Sequence, residues 1–226
     1  MTSVSVMMNT EVMREIYSNY DKKKIANLPR AVFDGRIIVI QTENEAQKAV
    51  DYLSSFPLVG IDTETRPSFK KGVSHKVSLL QLSTDDTCFL FRLKYIGIPE
   101  SLIRFFQDER ITKIGLSLHD DLLSLRRRGE FEPRSFLDLQ QYVKAFGIQD
   151  MSLQKIYANV FGQKISKGQR LSNWEADVLT DGQKLYAATD AWACIKLYHE
   201  LETLKKTNEY RLIKQSEVGG STEIEK

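Results

Sequence analysis

Apolar and polar positions along this chain change period several times, and each change marks an element. Residues 36–42 (RIIVIQT) are rich in β-branched side chains and predict a strand. Over residues 44–54 the apolar Ala46, Ala49, Val50 and Leu53 recur at helical spacing. Residues 58–64 read as a second strand, and residues 77–83 and 88–93 as two more. The short polar link Thr84-Asp85-Asp86-Thr87 between that last pair predicts an antiparallel hairpin. Pro99 suits the first turn of a helix running to Phe106, and residues 112–118 form a fifth predicted strand. Helices follow at about residues 120–128, 139–146, 152–161 and 183–205. A hairpin followed by strand–helix alternation predicts an α/β layered domain with a mixed sheet.

The two ends read differently from this middle. Residues 1–30 are mixed and polar and are compatible with a short amphipathic helix. Residues 31–210 hold the alternating pattern, while residues 211–226, with a Gly-Gly pair, Ser and Glu, read as a disordered tail. The sequence has no internal repeat. Its 226 residues are enough for one domain with a sizeable core.

Composition narrows the function classes. The apolar fraction of 42% and charged fraction of 27% are ordinary for a globular protein. A net charge of +2 gives no strong global field, so a nucleic-acid partner must be held by local basic clusters. Such clusters occur at Lys22-Lys23-Lys24, Arg126-Arg127-Arg128, Lys164/Lys167/Arg170 and Lys205-Lys206, although a solvated face has the same composition. Cys88 and Cys194 lie in apolar stretches and fit small core residues better than a disulfide framework or a zinc site. The chain shows neither a signal-peptide pattern nor an apolar run of about 18 residues, so the expected location is cytoplasmic, away from any membrane.

The candidate chemistry is acidic. Asp62 and Glu64 (VGIDTET) share one face of a strand, with Ile61 and Thr63 on the other. Neighbouring carboxylates repel and raise each other's pKa unless a cation lies between them. The competing reading is that the strand has ended and both side chains are solvated. Asp120 and Asp121 follow a strand and open a helix, where one can cap while the other does chemistry. Thr180 and Gln183 form a capping box that starts a long helix near Asp181. On it Tyr186 and Asp190 lie four residues apart, on one face, among Ala187, Ala188 and Ala191. Hard divalent cations such as Mg²⁺ or Mn²⁺ take oxygen ligands of this kind. Two of them about 4 Å apart can clamp the attacking and leaving oxygens of an in-line displacement at phosphorus.

These motifs together resemble the 3′–5′ exonucleases of the DEDD superfamily, in the subgroup with a tyrosine in its third motif. That subgroup includes the Werner helicase exonuclease domain and ribonuclease D. The resemblance runs from about residue 36 to residue 204. VGIDTET matches the first motif; KIGLSLHDDLLSL, aligned without gaps, puts the second-motif aspartate at Asp121; LSNWEADVLTDGQKLYAATDAWA matches the third. The histidine subgroup has its His where this chain has Leu185. The resemblance implies a ribonuclease-H-like fold with a mixed, roughly five-stranded sheet flanked by helices. It also implies two divalent ions, Mg²⁺ or Mn²⁺, held by Asp62, Glu64, Asp121 and Asp190. Asp62 would bridge both, Glu64 and Asp190 would complete the nucleophile side, Asp121 would serve the second ion through water, and Tyr186 would position the attacking water.

Thr63 is a candidate backbone contact to the terminal nucleotide, and Trp174 is either packing behind the site or a stacking platform, with packing favoured. The implied partner is a nucleic acid with a single-stranded or frayed 3′ end, with DNA slightly favoured over RNA; nothing points to an obligate protein partner. A catalytically silent nucleic-acid-binding module is the rival class. No second domain follows the matched region, which leads to an expectation of weak grip and low processivity.

Overall fold

The computed structural model describes residues 13–214. In chain order the elements are β1 (Arg14–Tyr17), α1 (Lys22–Ile25), β2 (Arg36–Ile40), α2 (Glu43–Leu53), β3 (Leu58–Glu64), β4 (Leu79–Ser83) and β5 (Thr87–Arg92). Then come α3 (Leu93–Ile96), α4 (Glu100–Gln107), β6 (Thr112–Gly115), α5 (Leu118–Arg126), β7 (Phe136–Asp138) and α6 (Leu139–Tyr142). A 3₁₀ turn (Val143–Phe146), α7 (Leu153–Phe161), α8 (Asp181–Thr207) and β8 (Tyr210–Ile213) complete the chain.

Six strands form the main sheet, in the order β2-β5-β4-β3-β6-β7. Only β4 runs against its neighbours: the β3–β4 and β4–β5 pairs are antiparallel, and β2–β5, β3–β6 and β6–β7 are parallel. The hairpin expected around residues 84–87 is present, closed by Thr84 N–H donating to Thr87 O at 2.8 Å. The sixth strand, β7, is the difference from a five-stranded reading. Its three residues are too few to show a period, and it exists because Lys113–Gly115 of β6 offers it a ladder.

Each sheet face is covered. On one face, α2, α4 and α5 bury Leu53, Phe105, Phe106, Leu118 and Leu125 against Ile61, Leu80, Leu82 and Phe91. On the other, α8 lays Ala187 and Ala188 on Leu79, Cys88 and Leu90, and α7 packs outside it with Ile156 and Tyr157. Both cysteines are buried and unpaired, as expected of core residues. The capping box of Thr180 and Gln183 starts α8 at Asp181, where the sequence put it, and a second box of Thr42 and Glu45 starts α2.

The ends of the chain depart from expectation. Residues 14–17, read as part of a helix-compatible extension, form a strand in parallel pairing with residues 210–213, three of which fall in the expected tail. Ile16 is fully buried, and Asn159 of α7 holds Tyr17 by both backbone groups, donating to its O at 2.6 Å and accepting from its N–H at 2.9 Å. Helix in this extension is limited to the short α1 among the described residues. The expectations for residues 1–12 and 215–226 fall outside the described residues.

Candidate active site

The site begins where β3 meets α8. The pleat of β3 turns Gly60, Asp62 and Glu64 toward α8, and Ile61 and Thr63 toward α5. A Cβ on Gly60 would lie 2.0 Å from the carbonyl oxygen of Ala191, so this strand position tolerates no side chain. The small residues that drew attention in the sequence serve this approach: Ala187, Ala188 and Ala191 are all fully buried. The close approach brings Asp190 to the strand. As a result Asp62, Glu64 and Asp190 offer carboxylate oxygens that all lie within 4.8 Å of one another.

Asp121 arrives from the other side of β3. Ser117 turns the chain with a left-handed φ of 62°, which ends β6 early and starts α5 at Leu118. Neither Asp120 nor Asp121 caps that helix. Asp138 at the end of β7 does so, accepting from Ser117 N–H at 2.8 Å and Leu118 N–H at 3.0 Å. Asp120 is exposed to solvent. Asp121 accepts a hydrogen bond from the Thr63 hydroxyl. The Thr63 side chain thus tethers Asp121 to the site strand, while Asp121 itself lies outside the tight group of three.

Tyr186 sits one turn before Asp190 on α8, and its ring lies 6.0 Å from that of Trp174, inclined by 38°. Trp174 has no exposed surface, so it packs behind Tyr186 and offers no free face for stacking a base. The segment carrying it is clamped from two directions. Lys94 Nζ donates to Glu175 O at 2.7 Å and Asp177 Oδ1 at 2.8 Å, and Arg92 donates to Ala176 O and Asp177 O. From the loop after β3, Arg66 pairs with Glu175 at 3.2 Å and His75 lies 3.5 Å from the same carboxylate. Sequence reading missed Asp138, Arg92, Lys94 and Glu175. Their partners lie about 20 to 110 residues away, and no local period signals such a pairing.

Burial and crowding raise the affinity of this cluster for protons. Burial, then the charges of Asp190, Glu64 and Asp121, push the Asp62 carboxyl well above the usual range. Burial and the Asp190 charge do the same to Glu64, against a downward pull from Arg170. Burial raises Asp190, with the Tyr186 hydroxyl and Lys167 pulling it back down, and raises Asp121. Burial and the Asp190 and Glu64 charges push the Tyr186 phenol up as well, so it stays protonated at neutral pH. Of the basic clusters, only Lys167 and Arg170, both solvent-exposed, act on these acids, Lys167 on Asp190 and Arg170 on Glu64; Lys164 donates instead to Ala26 O, and Lys22–Lys24, Arg126, Arg127, Lys205 and Lys206 point to solvent. Crowded, half-buried carboxylate oxygens fit a hard divalent cation, which would relieve the repulsion.

A mixed-sheet α/β fold with a carboxylate group of this kind defines a class, the proteins that can hold a metal ion at the junction of a central strand and a long helix. The chain belongs to the 3′-5′ exonuclease family, whose model matches residues 37–205. It is 29% identical over 210 residues to the bifunctional 3′-5′ exonuclease/ATP-dependent helicase WRN of Mus musculus, covering 88% of this chain but 15% of that protein. It is 31% identical over 194 residues to a 3′-5′ exonuclease of Arabidopsis thaliana, covering 79% of this chain and 67% of that one. Among solved structures, the Escherichia coli RNase D, described as an exoribonuclease involved in structured RNA processing, superposes with a TM-score of 0.65 at 23% identity. That likeness covers 75% of this chain and 46% of RNase D, and concerns the fold.

Proposed function

We propose that this chain is a metal-dependent 3′–5′ exonuclease that removes nucleotides from the 3′ end of a nucleic acid, with Asp62, Glu64, Asp190, Asp121 and Tyr186 as its working residues. The observation that carries this reading is the trio of carboxylates from β3 and α8 within 4.8 Å of one another in a chain of the exonuclease family. Two divalent ions, Mg²⁺ or Mn²⁺, would supply charge neutralisation at the scissile phosphate and a nucleophile at neutral pH. Asp62, Glu64, Asp190 and Asp121 would hold these ions: Asp62 would serve both, Glu64 and Asp190 the nucleophile side, and Asp121 the leaving side.

Tyr186 orients the attacking water by hydrogen bonding. Its raised pKa speaks against a role as general base. Trp174 fixes the Tyr186 ring from behind, and Lys167 and Arg170 offset charge as the substrate phosphate enters. Thr63 contributes its backbone to the terminal nucleotide while its hydroxyl steadies Asp121. No helix among the described residues is long and apolar enough to cross a membrane.

The proposal takes DNA as the preferred polymer, supported by the likeness to the mouse exonuclease/helicase over 88% of this chain. The fold likeness to RNase D favours RNA as a second reading. Digestion of matched 5′-labelled DNA and RNA strands, side by side, decides between them: faster DNA shortening supports the proposal and faster RNA shortening replaces it. Retention of both strands without shortening in Mg²⁺ or Mn²⁺ would leave a binding module in its place.

A further inference from the structure

One buried polar side chain beside the site has no partner. Gln81, in the middle of β4, is fully buried, and neither its Oε1 nor its Nε2 has a hydrogen-bond partner among the described residues. An amide left this way is costly, and an apolar side chain of similar volume would avoid the cost. Its register is specific: Gln81 stands directly opposite Asp62 in the antiparallel β3–β4 ladder. Opposed residues share a sheet face, with Cβ atoms about 4.5–5.5 Å apart, so the amide and the carboxylate project side by side under α8. The other polar residue on this strip, Ser83, is satisfied by donating to Thr84 O at 2.8 Å, and Leu79, opposite Glu64, is apolar. The unpaired group therefore stands beside the carboxylate assigned to face both ions.

We propose that Gln81 is a positioning residue for Asp62: its Nε2–H donates to the Asp62 carboxylate once a divalent cation is bound, and so fixes which carboxylate oxygens face the cation. This rests on the metal-dependent reading above. Groups one shell out from a metal typically change affinity or activity by about 10–100-fold when removed. Gln81 has the attributes of such a group: burial, an unused donor, and an immediate ligand neighbour. A glutamine with no bearing on the cation predicts the same stability in chelator but an unchanged cation affinity, so the affinity separates the two readings.

The test uses the whole chain and Mn²⁺ as probe. Thermal unfolding is measured in chelator, and Mn²⁺ affinity by calorimetric titration, for wild type, Gln81→Met and Gln81→Asn. We expect Gln81→Met to unfold in chelator at or above the wild-type temperature while binding Mn²⁺ about tenfold more weakly. If Gln81→Met did not fold, Gln81→Asn, which keeps the amide but withdraws it by one methylene, should show the same loss. Mn²⁺ affinity within about twofold of wild type in the folded variant overturns the proposal. The titration reads the cation site without nucleic acid, so a failed nuclease reading would show separately, as wild-type protein that binds Mn²⁺ but shortens no strand.

Discussion

Asp62 is half-buried and crowded by Asp190, Glu64 and Asp121, so its protonation equilibrium bears on stability. The folded carboxyls of Asp62, Glu64 and Asp190 have pKa values above their unfolded ones, so the folded state binds protons more tightly. Their stabilising contribution is therefore complete below the unfolded carboxylate pKa of about 4 and is lost as pH climbs through the raised folded values. In chelator, the thermal midpoint should fall between about pH 5 and pH 8, and saturating Mn²⁺ should flatten that slope. Asp62→Asn removes a carboxyl that must take up a proton or bear repulsion on folding, and should raise the chelated midpoint at neutral pH, by about 2–4 °C for each kcal/mol of that penalty relieved. A midpoint that rises with pH in chelator would contradict the shifts. For Tyr186→Phe, steady-state kinetics should show kcat down about 10²-fold with KM little changed, if the hydroxyl has the proposed role of orienting the attacking water.

The elements that build the site differ in how plainly the sequence announces them. The long helix α8 was legible because its start, its small face and the Tyr186–Asp190 pair are all local features. The β3 acids were legible through the two-residue period of a strand. The cap of α5 was not, because Asp138 belongs to a strand of three residues and reaches Ser117 across 21 positions. That cap spares Asp121 from capping α5 and leaves its carboxylate to accept from Thr63 of the site strand, which spacing alone could not decide. Asp138→Ala removes the acceptor for Ser117, Leu118 and Gln140 N–H and should cost about 0.5–2 kcal/mol in a denaturant titration, with kcat falling as Asp121 shifts. Gly60→Ala tests the strand–helix approach. Its Cβ meets Ala191 O, so α8 must back away, at about 1–3 kcal/mol of stability, carrying Asp190 from Asp62. Unchanged stability and activity in Gly60→Ala would mean that the approach is looser than described.

At the scale of the molecule, the described ends of the chain close on each other. The parallel pairing of Arg14–Tyr17 with Tyr210–Ile213 joins segments almost 200 residues apart, which no periodicity within either segment announces. Ile16 buries itself completely in the cluster that also holds Leu197, Leu201 and Leu204 of α8, so the closure braces the far half of the helix carrying Asp190. Ile16→Ala should lower stability by about 2–5 kcal/mol in denaturant unfolding. The central claim is that these elements assemble an exonuclease centred on Asp62, and one measurement tests it most directly: digestion of a 5′-labelled single strand with Mg²⁺ or Mn²⁺, by wild type and by Asp62→Asn. The account predicts a ladder shortening from the 3′ end with wild type and metal, and none in excess chelator or with Asp62→Asn. A ladder that persists in chelator or in Asp62→Asn would contradict it.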